Sequence, residues 1–327
     1  MDFLLLDFLG KPVWMWAVFI ILVLGLLILD LGVLHKGSRE IGIRESLLMS
    51  AFYITIGVAF GGWIWFQSGE QPALEYLTGF VVEKSLAMDN IFIIAMIFSY
   101  FAIPREYQHR VLLWGILGVI VLRGIMIAAG AAIVENFHWV LYLFAAFLVI
   151  TGIKMLFSSG HDENDIGNNP ALKFLRKHLP VSDKLHGERF VIRETDPQTG
   201  KLKTLITPLF LALIMVELAD LVFAVDSIPA IFAITTDPYI VYTSNIFAIL
   251  GLRALYFALA ALIHRFAYLK YALAAVLVFV GSKIFVADML GIAKIPPAVS
   301  LGVTVAILAA GILGSLWATR KDETQKA

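Results

Sequence analysis

"VVEKSLAMDNIFIIAMIF", Val81 to Phe98, is an apolar run that nevertheless holds Glu83, Lys84, Asp89 and Asn90. A second run, "VELADLVFAVDSIPAIFAIT", Val216 to Thr235, holds Glu217, Asp220 and Asp226. Both reach the length of a bilayer crossing, about 20 apolar residues. A charge at the centre of such a segment costs about 3 kcal/mol on insertion scales, so it needs a partner, water or a function.

Read outward from these runs, the whole chain is of one kind. Its 327 residues are 60% hydrophobic, with mean hydropathy +0.87, which marks a polytopic membrane protein. Lys and Arg balance Asp and Glu at 25 each, and no basic run carries interleaved aromatics, so nucleic acid is not an expected partner. Cysteine is absent, which removes disulfides, thiol chemistry and Cys-ligated metals. The acidic start "MDFLLLDFLGKPVWMW" lacks a basic n-region, so the first apolar segment reads as a retained span.

Nine stretches qualify as spans: 14–34, 47–66, 77–101, 111–134, 138–157, 206–234, 240–263, 268–290 and 298–318. Eighteen Lys and Arg fall after spans one, three, five and seven and in the C-terminal tail, against Lys11 and Lys294 on the other side. The positive-inside rule then puts the N-terminus outside and the C-terminus in the cytoplasm. The one long connection, 158–205, is cytoplasmic. It offers a helix capped by Asn169 with Pro170 at its first position, suited to the membrane surface, and a hairpin turning at Asp196 to Gly200. No catalytic motif stands in it, and an intramembrane aspartyl protease is set aside for want of Gly-x-Gly-Asp. The chain reads as no enzyme.

The two opening runs belong to a repeat. "EKSLAMDNI" (83–91) lies over "DLVFAVDSI" (220–228), "GVIVLRGIM" (118–126) over "FAILGLRAL" (247–255), and "AAFLVITGIKM" (145–155) over "AAVLVFVGSKI" (274–284). Asp89 thus matches Asp226, Asn90 Ser227, Glu83 Asp220, Arg123 Arg253 and Lys154 Lys283. The unit is three spans, 3–5 and 6–8, and an odd number inverts the second copy. The expected fold is all-α, with about nine transmembrane helices and two inverted three-helix repeats. The divisions are 1–76, first repeat 77–157, loop 158–205, second repeat 206–290, and 291–327. Inverted repeats with a polar midplane are the pattern of secondary transporters.

The candidate site residues are Glu83, Asp89, Asn90, Glu217, Asp220, Asp226 and Ser227. Carboxylate, amide and hydroxyl oxygens suit hard divalent cations, Mg²⁺, Mn²⁺ and Ca²⁺ alike. No His lies in the two runs. Glu83 and Asp89 diverge by about 240° on an ideal helix, so a break is expected. Pro229 is the candidate for it. Arg123, Arg253, Lys154 and Lys283 are expected as structural counter-ions.

"GFVVEKSLAMDNIFI", "LVFAVDSIPAIFAITTDP" and "SNIFAILGLRALYF" resemble the TerC family of bacterial integral membrane proteins, closest to its Alx branch, and the likeness runs from "LDLGVLHKG" at Asp30 to "PPAVSLGV". The resemblance implies a multi-pass manganese exporter of the bacterial cytoplasmic membrane, with Mn²⁺ as cargo, no cofactor, lipid as surroundings, and the seven residues above as its metal site. Asp30 would be a gate or exit ligand. Proton coupling is one expectation for the acids. The alternative is a membrane scaffold or stress-response protein, for redox or tellurium resistance, without transport.

Overall fold

The computed structural model describes residues 2–32, 42–157, 164–195, 202–260, 269–292 and 295–326. The expected turn at Asp196 to Gly200, and Lys36, Arg39, Lys201, Arg265 and Lys294 among the orienting cations, lie outside the described residues. A short hairpin, β1 (Asp7–Phe8) with β2 (Lys11–Pro12), precedes α1 (Val13–Gly32), α2 (Ile43–Ser68), α3 (Glu70–Tyr100), α4 (Arg105–Asn136) and α5 (Val140–Phe157). Then come α6 (Asn164–Asn168), α7 (Pro170–His178) and the hairpin β3 (Val191–Thr195) with β4 (Leu202–Ile206). The chain ends with α8 (Pro208–Phe232), α9 (Pro238–Ile249), α10 (Leu252–Ala260), α11 (Leu269–Met289) and α12 (Pro297–Lys326).

Eight described segments are long and apolar enough to cross a membrane, α9 and α10 counting together as one. α3 is not among them: it carries Glu75, Glu83, Lys84 and Asp89. Its 31 residues still make a helix about 46 Å long. Eight of the nine expected spans coincide, within the described residues, with these segments, and α3 covers the remaining one, 77–101, its charges setting it apart.

Small residues bring the helices close. Gly57 and Gly61, one turn apart on α2, face Phe80, Tyr76 and Leu77 of α3, and the Tyr76 hydroxyl donates to the Gly57 carbonyl at 3.0 Å. α5 and α11 pack through Gly152 and Gly281. A Cβ on Gly152 would sit 2.8 Å from the Ala274 carbonyl oxygen, and one on Gly281 2.6 Å from that of Ala145. The contact is reciprocal: Ala145 and Gly152 meet Gly281 and Ala274, the positions matched to them in the expected repeat. As α5 advances from 145 to 152, α11 retreats from 281 to 274, so the pair is antiparallel. The other pairings exchange likewise: α3 packs on α9 while α4 packs on α8, and α5 touches α8 while α11 touches α3.

At one end of α1, Trp16 meets Tyr239 edge-on at 4.9 Å, Lys11 pairs with Asp237 at 3.0 Å, and Asp237 caps α9 by accepting from the Tyr239 amide at 2.9 Å. At the other end of the molecule, Asn169 caps α7 as expected, accepting from the Ala171 amide at 2.9 Å, and β3 and β4 pair as the expected hairpin. Arg110 ties this layer to α4 through Glu188 at 3.3 Å.

The expected break at Pro229 is not found: α8 runs through it to Phe232, with the proline three residues before the helix ends. Span seven is broken instead. α9 stops at Ile249, and Gly251, at φ +81°, turns the chain into α10. Only glycine adopts that conformation without strain, and the Tyr53 side chain lies against it.

Candidate functional site

Arg123 is the centre of a buried ionic node. It projects from α4 and is 1% exposed, as is Glu83. Its Nε donates to Asp220 Oδ2 at 3.1 Å and its Nη2 to Asp220 Oδ1 at 2.8 Å, a bidentate clamp on α8. Its Nη1 donates to Glu83 Oε1 on α3, to Asn245 Oδ1 on α9 at 3.0 Å and to Ser227 Oγ on α8 at 3.3 Å. Asn90 Nδ2 completes the ring toward Asp220 Oδ1 at 3.5 Å. Four helices meet on one guanidinium.

The composition of this node follows from helical periodicity. Glu83 and Asn90 are seven residues apart, and so are Asp220 and Ser227. Seven residues fall only about 20° short of two full turns, so each pair shares one helix face. The neighbours Asp89 and Asp226 are rotated about 100° from Asn90 and Ser227. Asp226 accordingly lies beside Thr151 and Lys154 of α5, away from Arg123. The expected partnership of Asp226 with Ser227 is thereby corrected: Ser227 serves the node of Asp220. The side chain of Asp89 lies outside the described residues, although its backbone is helical.

Glu217 stands one turn before Asp220. It is half-buried, and its carboxylate rests on the bare backbone of α4: a Cβ on Gly118 would fall 2.5 Å from Glu217 Cδ. A narrow pocket lined by Asn90, Gly115, Asp220, Leu252 and Arg253 lies between the node and the helix break. At that break Lys84 Nζ donates to the Ala248 and Leu250 carbonyls, at 2.9 and 3.3 Å, and so caps the end of α9. Arg253 reaches back to pair with Asp30 of α1. Asp30 thus ties α1 to α10, and in this structure it serves as a counter-ion.

The expected site residues therefore divide. Glu83, Asn90, Asp220 and Ser227 meet; Glu217 adjoins them; Asp226 stands apart. Asn245 and Gly118 were not singled out from the sequence. Asn245 lies in "SNIFAILGLRALYF", where an amide within an apolar run was the available signal. Gly118 left none, since its role is the absence of a side chain. Four side-chain atoms about the node are buried without a hydrogen-bond partner: Glu83 Oε2, Asn90 Oδ1, Glu217 Oε2 and Asn245 Nδ2. Among the described residues no three His, Cys, Asp or Glu side chains gather as a metal-ligand group.

The profile of the family described as Integral membrane protein TerC family matches residues 68–323. A Rickettsia bellii protein, named only as an uncharacterised membrane protein, is 48% identical over 301 residues, covering 92% of this chain and 96% of its own. A Myxococcus xanthus membrane protein, equally uncharacterised, is 45% identical over 318 residues, 97% of this chain and 96% of its own. An Escherichia coli K12 protein named as a proposed membrane-bound redox modulator, Alx, is 43% identical over 326 residues, 97% of this chain and 98% of its own. No solved structure matches.

Proposed function

This chain is a member of the TerC family of integral membrane proteins, and from that premise we propose that its buried node takes up a divalent cation and passes Mn²⁺ out of the cytoplasm. The observation that carries this reading is the node's balance. Two carboxylates, Glu83 and Asp220, face one guanidinium, and Glu83 Oε2 and Asn90 Oδ1 are buried with no donor. Surplus negative charge and unpaired oxygens inside a membrane call for a proton or a cation. Oxygen donors favour a hard divalent ion, and the choice of Mn²⁺ rests on the family resemblance.

The antiparallel, reciprocal α5–α11 contact supports an inverted repeat of α3–α5 with α8–α11; an N-terminus outside and a C-terminus in the cytoplasm rest on the distribution of Lys and Arg. The site of this reading comprises Glu83, Asn90, Asp220 and Ser227 at the node, Glu217 beside it, and Asp89 and Asp226 as further acids along the path. Protons returning on vacated carboxylates would supply the driving force.

A second reading is a membrane scaffold or stress-response protein without transport. Three findings favour it: the name of the E. coli relative, the pairing of Glu83 and Asp220 with Arg123, and the missing three-ligand group among the described residues. Without cysteine, a redox role would run through contacts and not thiols. On these findings the second reading stands closer to what is established, and the first goes further.

Flux into everted vesicles separates them. The vesicles come from cells lacking their own manganese exporters and are offered Mn²⁺, Mg²⁺ and Ca²⁺, with and without a pH gradient. Mn²⁺ uptake abolished by Glu83→Gln and Asp220→Asn is the transport outcome, and gradient dependence reports coupling. Loss with Asp89→Asn and Asp226→Asn alone would move the site away from Arg123. No flux of any ion from correctly inserted protein leaves the second reading.

A further inference from the structure

The position held by Arg123 Nη1 is itself the shape of a cation site. Oxygens from three helices converge on it: Glu83 Oε1 from α3, Asn245 Oδ1 from α9 and Ser227 Oγ from α8. A guanidinium terminal nitrogen carries two hydrogens, so three acceptors are more than it can serve. Both Asp220 oxygens flank the same guanidinium. The five oxygens gathered on this one group, with the unpartnered Glu83 Oε2 beside them, are as many as a multiply coordinated divalent ion takes.

A second place for the arginine is close by. Glu217 is three residues before Asp220 on α8, and its carboxylate rests against Gly118, five residues before Arg123 on α4. Its Oε2 is buried without a partner. We propose that Arg123 is a tethered counter-cation: it fills an oxygen cage of Glu83, Asp220, Ser227 and Asn245, yields that cage to a divalent metal ion, and turns to Glu217 when the ion binds. The charge balances. Glu83 and Asp220 with Arg123 carry one net negative charge; with a divalent ion they are neutral, and the displaced Arg123 is neutralised by Glu217. The inference rests on the cation-binding half of the proposed function and is independent of transport.

Equilibrium binding of Mn²⁺ to the purified full chain in nanodiscs, read from the electron paramagnetic resonance signal of free Mn²⁺, tests it. Arg123→Gln removes the competitor and is expected to tighten binding tenfold or more. Arg123→Lys, whose single ammonium cannot clamp Asp220 while reaching Glu83, is expected to tighten it several-fold. Glu217→Gln is expected to weaken binding in the natural chain and to change nothing in the Arg123→Gln background, a coupling that a merely structural arginine would not produce. Binding no tighter in either folded arginine variant overturns the proposal, and so does failure of both to fold, which would make Arg123 a fixed tie. Mn²⁺ bound by neither the natural chain nor folded Arg123→Gln protein removes the cation-site reading itself.

Discussion

Replacing Gly251 with alanine tests the helix break most directly. Gly251 has φ +81°, and the left-handed conformation costs an L-residue about 1–2 kcal/mol. A Cβ there would lie 2.7 Å from both Cβ and Cγ of Tyr53. These atoms are near the tyrosine backbone, so the clash is not relieved by a rotamer change, and overpacking of this kind costs about 1–3 kcal/mol. The sum is about 2–5 kcal/mol. Tyr53 also neighbours Asp30, so a shift disturbs the Asp30–Arg253 tie and the carbonyls that Lys84 caps. The assay is the apparent melting temperature of the detergent-purified chain, read as monodisperse protein after heating. Gly251→Ala should melt several degrees lower. Gly251→Asn should recover about 1 kcal/mol of the loss, because asparagine tolerates the left-handed region while keeping the clash. Gly62→Ala is the control: nothing lies within 4 Å of its Cβ, so it should match the natural chain or exceed it. A Gly251→Ala protein as heat-resistant as Gly62→Ala would refute the account of the break.

Gly152→Ala and Gly281→Ala should each lower the melting temperature, by about 1–3 kcal/mol of overpacking, and by similar amounts, since each Cβ meets a carbonyl oxygen of the partner helix; a large effect at one and none at the other would contradict the reciprocal contact. Asp30→Asn deprives the buried Arg253 of its carboxylate and should cost about 3–5 kcal/mol, most of it regained in the Asp30→Leu/Arg253→Met double variant; equal instability of the double variant would count against the ion pair. Gly118→Ala should displace the Glu217 carboxylate and reproduce the effect of Glu217→Gln on Mn²⁺ binding; wild-type binding with Gly118→Ala would show that the seat does not matter. Asn169→Ala should raise hydrogen exchange at the Ala171 amide and cost α7 about 1 kcal/mol, with unchanged exchange counting against the cap.

Much of the architecture was legible because hydropathy and local capping act within one segment. The membrane class, the long apolar helices, the Asn169 cap and the β3–β4 pairing follow from residues within a few positions of one another. The pairings of Arg123 and of Arg253 with acids were expected on electrostatic grounds, since a buried cation must find an anion. The misplaced break has a physical cause: α8 carries Pro229 without interruption, whereas Gly251 breaks span seven where Tyr53 and Lys84 meet the turned chain. The seven-residue spacings of Glu83 with Asn90 and Asp220 with Ser227 were present in the sequence, yet the adjacency of Asp226 and Ser227 was the more conspicuous pattern and led elsewhere.

The sequence alone determined that this chain is a polytopic membrane protein and that it carries acids within its apolar segments. It also determined, through helical periodicity, which residues share a face of their own helix. It could not set the rotation of one helix against the next. That rotation is decided by packing: Gly57, Gly61, Gly152 and Gly281 allow close approach only in particular registers, and these registers turn Glu83 and Asp220 together toward Arg123 while Asp226 turns to Thr151 of α5. Which acids meet is therefore a tertiary fact, because a side chain's direction in space is the sum of its place on a helix and that helix's place among its neighbours.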